Sequence, residues 1–411
     1  MLFLYNIGIR LYYLFILFAS LFNKKARLWI RGRKKFFKKV RSVMDPDSRI
    51  IWFHCSSLGE FEQGRPVMEK IREILPDRKI LLTFYSPSGY EIRKNYSGAD
   101  YIFYLPLDTK KNAEKFLDFI RPEVALFVKY EYWYHFISAL KRRNIKIYLI
   151  SGIFRSDQVF FKYYGKWFRK ILGCFHHLFI QDDDSARLLK SIGIENFTVA
   201  GDTRFDRVFA IAEKAPPLPL ISHFTADHLT LVAGSTWPED EEIIIRFINE
   251  YKPEIKLIIA PHEIHERNIR HLEEKIQLKT TRYTSAENQE ISGANVLIID
   301  TVGILSSIYQ FGNLAFIGGG FGKGIHNTLE AAIFGIPVIF GPNYKKFREA
   351  VSLIHHEGGF SVQDYQSFSN ILIRLTTDIS LLETCGENAK AYILSELGAT
   401  ARIVDIVIAD L

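Results

Sequence analysis

From Asp45 onward, short apolar runs alternate with polar, periodic stretches of helical length. Residues 50–54, 79–84, 101–105, 124–128 and 146–150 read as buried strands, each followed by an amphipathic helix. Residues 178–180 and 198–200 read as two shorter strands. The alternation then breaks at Ala215-Pro-Pro-Leu-Pro219 and restarts with apolar runs at 229–233, 256–260, 295–299, 314–317 and 337–340. Strand–helix alternation of this kind predicts parallel sheets covered by helices on both faces. The proline cluster predicts a linker. The expected organisation is an α/β domain over 43–214, a linker over 215–228 and a second α/β domain over 229–411. Ligands bind such sheets at the carboxyl ends of the strands, so a cleft between two lobes is the expected site.

The first 42 residues follow a different pattern. An apolar run over residues 11–22, extendable back to Leu2 but interrupted by Asn6 and Arg10, approaches membrane-spanning length. A basic block follows it directly. Eleven Lys and Arg precede residue 42 and no acid precedes Asp45, so the other 42 basic residues face 46 acidic ones and the net charge of +7 is entirely N-terminal. A nucleic-acid binder spreads its charge over the folded domain, which argues against that partner. A cleaved signal peptide is a poor fit, because the charge follows the apolar run. The segment reads as a membrane anchor or interfacial helix, with residues 1–41 on a membrane surface and the domains on its cytoplasmic side. Trp29, Phe36 and Phe37 within the basic run favour surface binding. A buried N-terminal helix is the competing reading. Three scattered cysteines, with no CxxC pair, suggest neither a disulfide framework nor a zinc site.

The most informative stretch runs from Leu314 to Pro342. A strand enters a loop containing Gly318, Gly319, Gly320, Gly322 and Gly324, and the loop opens a helix expected to start near His326 or Asn327 and end at Gly335. No frame supplies G-x-G-x-x-G, and the P-loop pattern fails as well. What remains is a helix start able to accept a phosphate, with Glu330 placed to bind ribose hydroxyls. A tight strand-to-helix turn in a core is the alternative. Ser57-Leu-Gly-Glu60, after the first strand, satisfies the capping-box pattern.

Further blocks are His54-Cys-Ser-Ser-Leu-Gly-Glu60, Thr83-Phe-Tyr-Ser-Pro-Ser-Gly89, Glu131-Tyr-Trp133, Gly201-Asp-Thr-Arg-Phe-Asp206, Gly234-Ser-Thr236, Asp300-Thr-Val-Gly303 and His326-Asn-Thr-Leu-Glu330. In this order they resemble the two-domain (GT-B) glycosyltransferases and, more narrowly, the 3-deoxy-D-manno-octulosonic acid (Kdo) transferases of lipid A assembly. The resemblance spans nearly the whole chain. It implies two Rossmann-like domains facing a cleft, behind an N-terminal membrane-anchor helix. The implied activity is inverting, metal-independent transfer of Kdo from CMP-Kdo to a lipid A precursor (lipid IVA), at the cytoplasmic face of the bacterial inner membrane. CMP-Kdo is then the donor substrate and no cofactor is implied.

By the same resemblance Glu60 is the general base, Glu131 stabilises the transition state and Arg204 meets the leaving phosphate. Helix capping by Glu60, a surface acid at 131 and a solvated Arg204 are the corresponding bland readings. Val302, Gly303 and Ile304, with Asn327, Thr328, Leu329 and Glu330, match the family's CMP contacts. Pro261-His262 matches a Pro-Arg pair, with His in place of Arg. Lys129 stands where the family's first Glu belongs, and Tyr134 stands where it has Pro. Ser235 and Thr236 look like phosphate or sugar donors, or caps of the acidic helix that follows. Two other classes stay open: a GT-B transferase or epimerase using a UDP-sugar, and a non-catalytic membrane-bound adaptor.

Three patterns carry no site. His262-Glu-Ile-His-Glu266 misses the zincin spacing, Asp182-Asp-Asp184 reads as a helix cap, and His176-His177 has no spaced partners. The basic, aromatic stretch over 159–179 reads either as a core-facing helix with snorkelling lysines or as a surface for an acylated acceptor.

Overall fold

A computed structural model describes residues 1–251, 255–286, 291 and 293–411. The chain divides into two compact units, one of residues 1–207 with 397–411, the other of residues 208–396.

The first unit is built on a seven-stranded parallel sheet. Its strands are β1 (Ile50–Cys55), β2 (Lys79–Phe84), β3 (Tyr101–Tyr104), β4 (Pro122–Val128), β5 (Lys146–Gly152), β6 (His177–Ile180) and β7 (Phe197–Val199), in the order β3-β2-β1-β4-β5-β6-β7. β1 is buried throughout, and its side chains alternate between two cores. Ile50 and Trp52 join one with Phe116, Phe127 and Phe136; Ile51, Phe53 and Cys55 join the other with Phe61 and Ile71. A strand covered on both faces reads as a continuous apolar run, which is why the sequence marks these strands well. The order reverses between β1 and β4. Chain leaving the carboxyl ends of those two strands turns opposite ways there, opening a crevice.

The second unit repeats the scheme with β8 (Leu229–Thr236), β9 (Ile255–Pro261), β10 (Thr280–Arg282), β11 (Val296–Ile298), β12 (Leu314–Ile317), β13 (Val338–Phe340) and β14 (Gly359–Ser361), in the order β10-β11-β9-β8-β12-β13-β14. The strands β10 and β14, absent from the apolar pattern, are three-residue edges. The expected linker holds a helix, Pro219–Thr225, that buries Ile221 and Phe224 and belongs to the second unit.

Two further boundaries differ from those expected. The N-terminal segment is no separate module. Its helices α1 (Leu2–Ala19), α2 (Lys24–Gly32) and α3 (Phe36–Val43) belong to the first unit. Trp29, Phe36 and Val40 face the protein core rather than a membrane, because the apolar sides of the short helices α2 and α3 turn inward. Gly32 lets α2 approach closely, since a Cβ there would lie 2.2 Å from the Tyr104 ring. Arg33 fixes the turn between α2 and α3. Its guanidinium donates to the carbonyls of Leu105 and Tyr85, both at 2.8 Å, and lies 3.8 Å from the centre of the Trp29 ring.

By contrast α1 buries no residue. One side touches the unit: the Tyr5 hydroxyl donates to the Asp108 carboxylate, His135 Nε2 donates to Asn6 Oδ1 at 2.6 Å, and Tyr12 stacks on Tyr85. Asp108, itself buried, also accepts the N–H groups of His135 and Phe136 at 3.1 Å. Burial raises the Asp108 carboxyl to about 6.

The second correction is at the other end, where residues 397–411 were expected in the second domain. The helix Ala399–Ala409 instead packs Ile403, Val404 and Val407 into the first unit, against the helix α4 (Leu58–Ile74) and the strand residues Ile51 and Leu126. Asp410 accepts hydrogen bonds there from Lys146 and Tyr148. Truncating the fully buried Ile403 to Ala is expected to cost about 2–5 kcal/mol of first-unit stability in chemical denaturation. A cost below about 1 kcal/mol would mean that this helix frays rather than closes the core.

Candidate active site

β1 and β4 end at the switch in strand order, and each hands one carboxylate to that place. After β1 the chain enters α4, whose capping box is Ser57 to Glu60. Glu60 Oε2 accepts the backbone N–H groups of Ser56 and Ser57. The capping reading is therefore right, and it also aims the carboxylate. Burial raises the Glu60 carboxyl to about 8, the charge of Glu131 adds to the rise, and the two backbone N–H groups and Lys129 restrain it. Such a value suits a base working near neutral pH.

Glu131, just past β4, is buried rather than the surface acid of its bland reading. Its Oε2 faces His54 Nε2 at 2.9 Å and accepts the indole N–H of Trp133. On the other side of the ring, His54 Nδ1 lies 2.9 Å from Thr83 Oγ1 and 3.2 Å from the Thr83 carbonyl, while Trp52 Nε1 donates to Thr83 Oγ1 at 2.8 Å. Neighbouring strands thus brace one carboxylate through a fully buried imidazole. Trp133 is held in turn by stacking on Tyr85, with ring centres 4.4 Å apart. Sequence reasoning quoted His54, Thr83 and Trp133 inside its motif blocks but gave none of them this task. A lone His closing an otherwise apolar strand was the available signal.

Lys129 takes up a left-handed backbone, φ 67°, and its N–H donates to the Ile150 carbonyl. Arg204 is tied to its own neighbour: Nε and Nη2 meet Asp202 Oδ2 at 2.8 and 2.7 Å. The loop holding it is anchored on α4, because Thr203 Oγ1 donates to the Gln63 carbonyl at 2.6 Å. The structure therefore brings Glu60, Glu131 and Lys129 together and attaches Arg204 to the same helix, with its guanidinium already paired.

In the second unit the candidates lie at strand ends. Ser235 and Thr236 close β8, Pro261-His262 follows β9, Val302-Gly303-Ile304 follows β11, and Asn327 to Glu330 lies beyond β12. Ser235 has a left-handed φ of 54°, and no hydrogen bond holds its hydroxyl among the described residues. Thr236 is buried, with Oγ1 donating to Glu241 Oε1 at 3.0 Å, so it serves the acidic helix through a side chain rather than as a cap. Pro261 is buried in β9, and His262 is exposed. The His262 ring is stacked between Trp237 and His326, each 4.6 Å away. Val302 is 77% exposed, and a Cβ on Gly303 would meet nothing within 4 Å, which leaves this loop open to a ligand.

The glycine segment differs from expectation. Its helix is a single turn, Leu329–Ala332, rather than a run from 326 to 335. Asn327 competes with helical bonding: its Oδ1 accepts the Leu329 N–H at 3.2 Å, and its Nδ2 donates to Glu330 Oε1 at 2.9 Å. Leu329 is wholly buried, and so is Thr328, whose hydroxyl has no partner among the described residues. The glycines are needed chiefly for packing. A Cβ on Gly318 would lie 2.3 Å from the Ser235 carbonyl oxygen, and one on Gly320 would lie 2.5 Å from the Gly341 nitrogen. The Asp182 reading holds, since its side chain caps the helix Asp183–Ser191 through Ser185 N–H at 2.7 Å.

Comparison with known proteins sets this geometry in a family. A family model described as 3-deoxy-D-manno-octulosonic-acid transferase (kdotransferase) matches residues 29–207, the stretch that holds Glu60, Glu131 and Arg204. A 3-deoxy-D-manno-octulosonic acid transferase of Aquifex aeolicus is 28% identical over 338 residues, covering 80% of this chain and 86% of that one. The chain is similar to Kdo transferases over most of its length. The Haemophilus influenzae transferase of the same name is 23% identical and aligns over 88% of this chain and 87% of its own length. Among solved structures, a UDP-GlcNAc 2-epimerase from Neisseria meningitidis shares the fold at 16% identity with a TM-score of 0.62, covering 88% of this chain and all of that one. The calicheamicin glycosyltransferase CalG4 shares it at 14% identity and a TM-score of 0.56, over 89% of this chain and 98% of that one. The GT-B fold expected from the motifs is the one observed.

The shifted carboxyl of Glu60 makes stability pH-dependent. Its folded value of about 8 lies above the ordinary 4.5, so its protonated form favours the fold. That contribution is complete below pH 4.5 and is lost as pH rises through 8. Urea unfolding at pH 5 and pH 8 is expected to show a fall in stability that Glu60→Gln reduces. An identical fall in the variant would remove Glu60 as its source.

Proposed function

We propose that this protein transfers Kdo from CMP-Kdo to a sugar hydroxyl of a lipid A precursor, lipid IVA or a close variant, in lipopolysaccharide assembly. The observation that carries the reading is the carboxylate pair at the ends of β1 and β4, within a stretch that matches the Kdo transferase family model. Glu60, in its ionised form, takes the proton from the acceptor hydroxyl as that oxygen attacks the anomeric carbon of Kdo. The bond to the CMP phosphate breaks on the opposite side, so the configuration inverts. Glu131, fixed by His54 and Trp133, offers a carboxylate to the positive charge that develops on the sugar. Arg204 meets the leaving phosphate by exchanging its pairing with Asp202. No metal enters this scheme.

CMP binding falls to the second unit. The open Val302-Gly303-Ile304 loop and the coupled Asn327 and Glu330 side chains suit a nucleoside, and Ser235 with Thr236 suits its phosphate. His262 takes the position of the family's Arg as a stacked, exposed ring.

The α1 helix is long and apolar enough to cross a membrane by length and composition. Contacts along one side, from Tyr5 and Asn6 to Tyr12, favour a helix that lies against its own unit and sinks its other side into one leaflet. This supports a position at the cytoplasmic face of the inner membrane, where an acylated acceptor can be reached.

Incubation with CMP-Kdo and lipid IVA, followed by mass spectrometry, is expected to show an acceptor heavier by Kdo. Glu60→Gln keeps an oxygen for the Ser56 and Ser57 N–H groups, so it is expected to fold normally yet lose about 10²–10⁴-fold in kcat. Full activity in that variant would end the base assignment. CMP is expected to raise the Tm and UDP to leave it unchanged; the reverse result would favour a UDP-sugar enzyme.

A further inference from the structure

A cavity of about 760 Å³ lies in the first unit between the second half of α1, the turn joining α2 to α3, and the loop after β3. It is remote in sequence from both carboxylates and from every CMP candidate. Its lining has two chemistries. Tyr13, Leu17, Trp29, Phe36 and Leu107 supply aromatic and aliphatic surface, while Arg31, Lys34, Lys35 and Lys38 supply exposed cations. None of those four cations forms an ion pair among the described residues, and the sequence holds no acid before Asp45 to offer one. Four like charges on one turn repel each other, so the arrangement is stabilised by an anion.

The turn is also held in shape. Arg33 is bound to two carbonyls, Gly32 sits against Tyr104, and Lys35 takes a left-handed backbone of φ 54°. A rigid turn presents its cations as a built site rather than as a diffuse basic tail. The neighbouring outer side of α1 exposes Leu14, Phe15 and Phe18, and the turn after it exposes Leu21 and Phe22. A soluble anion would satisfy the cations and leave the apolar lining wet, whereas an amphiphile satisfies both. The volume falls within the range of roughly 300–1,000 Å³ common for small-molecule sites.

We infer that this cavity binds the phosphate head group of an anionic bilayer phospholipid, with the first part of its acyl chains against Trp29, Phe36 and α1. The inference rests on the membrane-facing reading of residues 1–41 and adds a specific site to it. The phosphate meets Lys34, Lys35 and Lys38, with Arg31 also in the lining.

The test uses the full chain, with a pocket triple variant (Lys34→Ala, Lys35→Ala, Lys38→Ala) and a control triple from the same basic block but outside the cavity (Lys24→Ala, Lys25→Ala, Arg41→Ala). Diffuse attraction depends on the number of charges and predicts equal losses on phosphatidylglycerol-containing vesicles. A built site predicts that the pocket triple weakens binding at least roughly tenfold beyond the control. Monomeric dihexanoyl-phosphatidylglycerol is expected to raise the wild-type Tm saturably, dihexanoyl-phosphatidylcholine to leave it unchanged, and the pocket triple to lose the response. Equal losses in the two triples, or no saturable shift, overturns the inference. So does stabilisation through these lysines by the lipid A precursor alone, which would make the cavity part of the acceptor site. Transfer to detergent-dispersed acceptor is read separately: the pocket triple is expected to keep its kcat, and an inactive wild type would sink the transferase reading while leaving lipid binding intact.

Discussion

The site is organised by one electrostatic constraint, which is that two carboxylates must share a place largely withdrawn from water. Glu60 and Glu131 enter it from strands on either side of the switch in the sheet, and the charge of Glu131 raises the cost of ionising Glu60. The surrounding structure treats them unequally. Glu131 is held between the His54 ring and the Trp133 indole N–H, whereas Glu60 receives two backbone donors and its carboxyl is raised to about 8. Identical chemical groups thereby sit in different environments, one tied to backbone N–H groups and one to side chains of neighbouring elements. The aromatic packing behind them follows from this. Trp52, Phe127 and Phe136 pack the face on which His54 and Thr83 are held, and Tyr85 keeps the Trp133 indole against its carboxylate.

The same constraint gives the N-terminal helices a part in the site. Asp108 caps the helix Tyr134–Arg142, which begins three residues after Glu131, and it accepts the Tyr5 hydroxyl of α1. Tyr12 of α1 and Trp29 of α2 both pack on Tyr85, the ring that holds Trp133. The N-terminal helices and the loop bearing Glu131 are therefore built on shared side chains.

Much of this was legible in the sequence where the physics is local. Strands buried on both faces leave apolar runs, so twelve of the fourteen were found; β10 and β14 are short edges and leave none. Glu60 could be read because a capping box is a four-residue pattern. The pairing of His54 with Glu131 could not, since 77 residues separate them and only the sheet order joins them. Trp29 and Phe36 show the limit of composition. Aromatic residues among lysines fit a membrane or a core equally well, and the turn of a short helix decides between them. The glycine segment was read as a helix start because the competing bonds of Asn327 have no signature in spacing.

The return of the helix Ala399–Ala409 to the first unit has a consequence for how the molecule is made. The first unit is discontinuous, with the whole second unit inserted before its closing helix. During vectorial synthesis its sheet emerges early while the core around Phe53 and Phe61 still lacks Ile403, Val404 and Val407. That apolar surface must wait for some 190 further residues, roughly 10–40 s at ordinary elongation rates. The nascent first unit is thus a natural client for chaperones until its closing helix has been made.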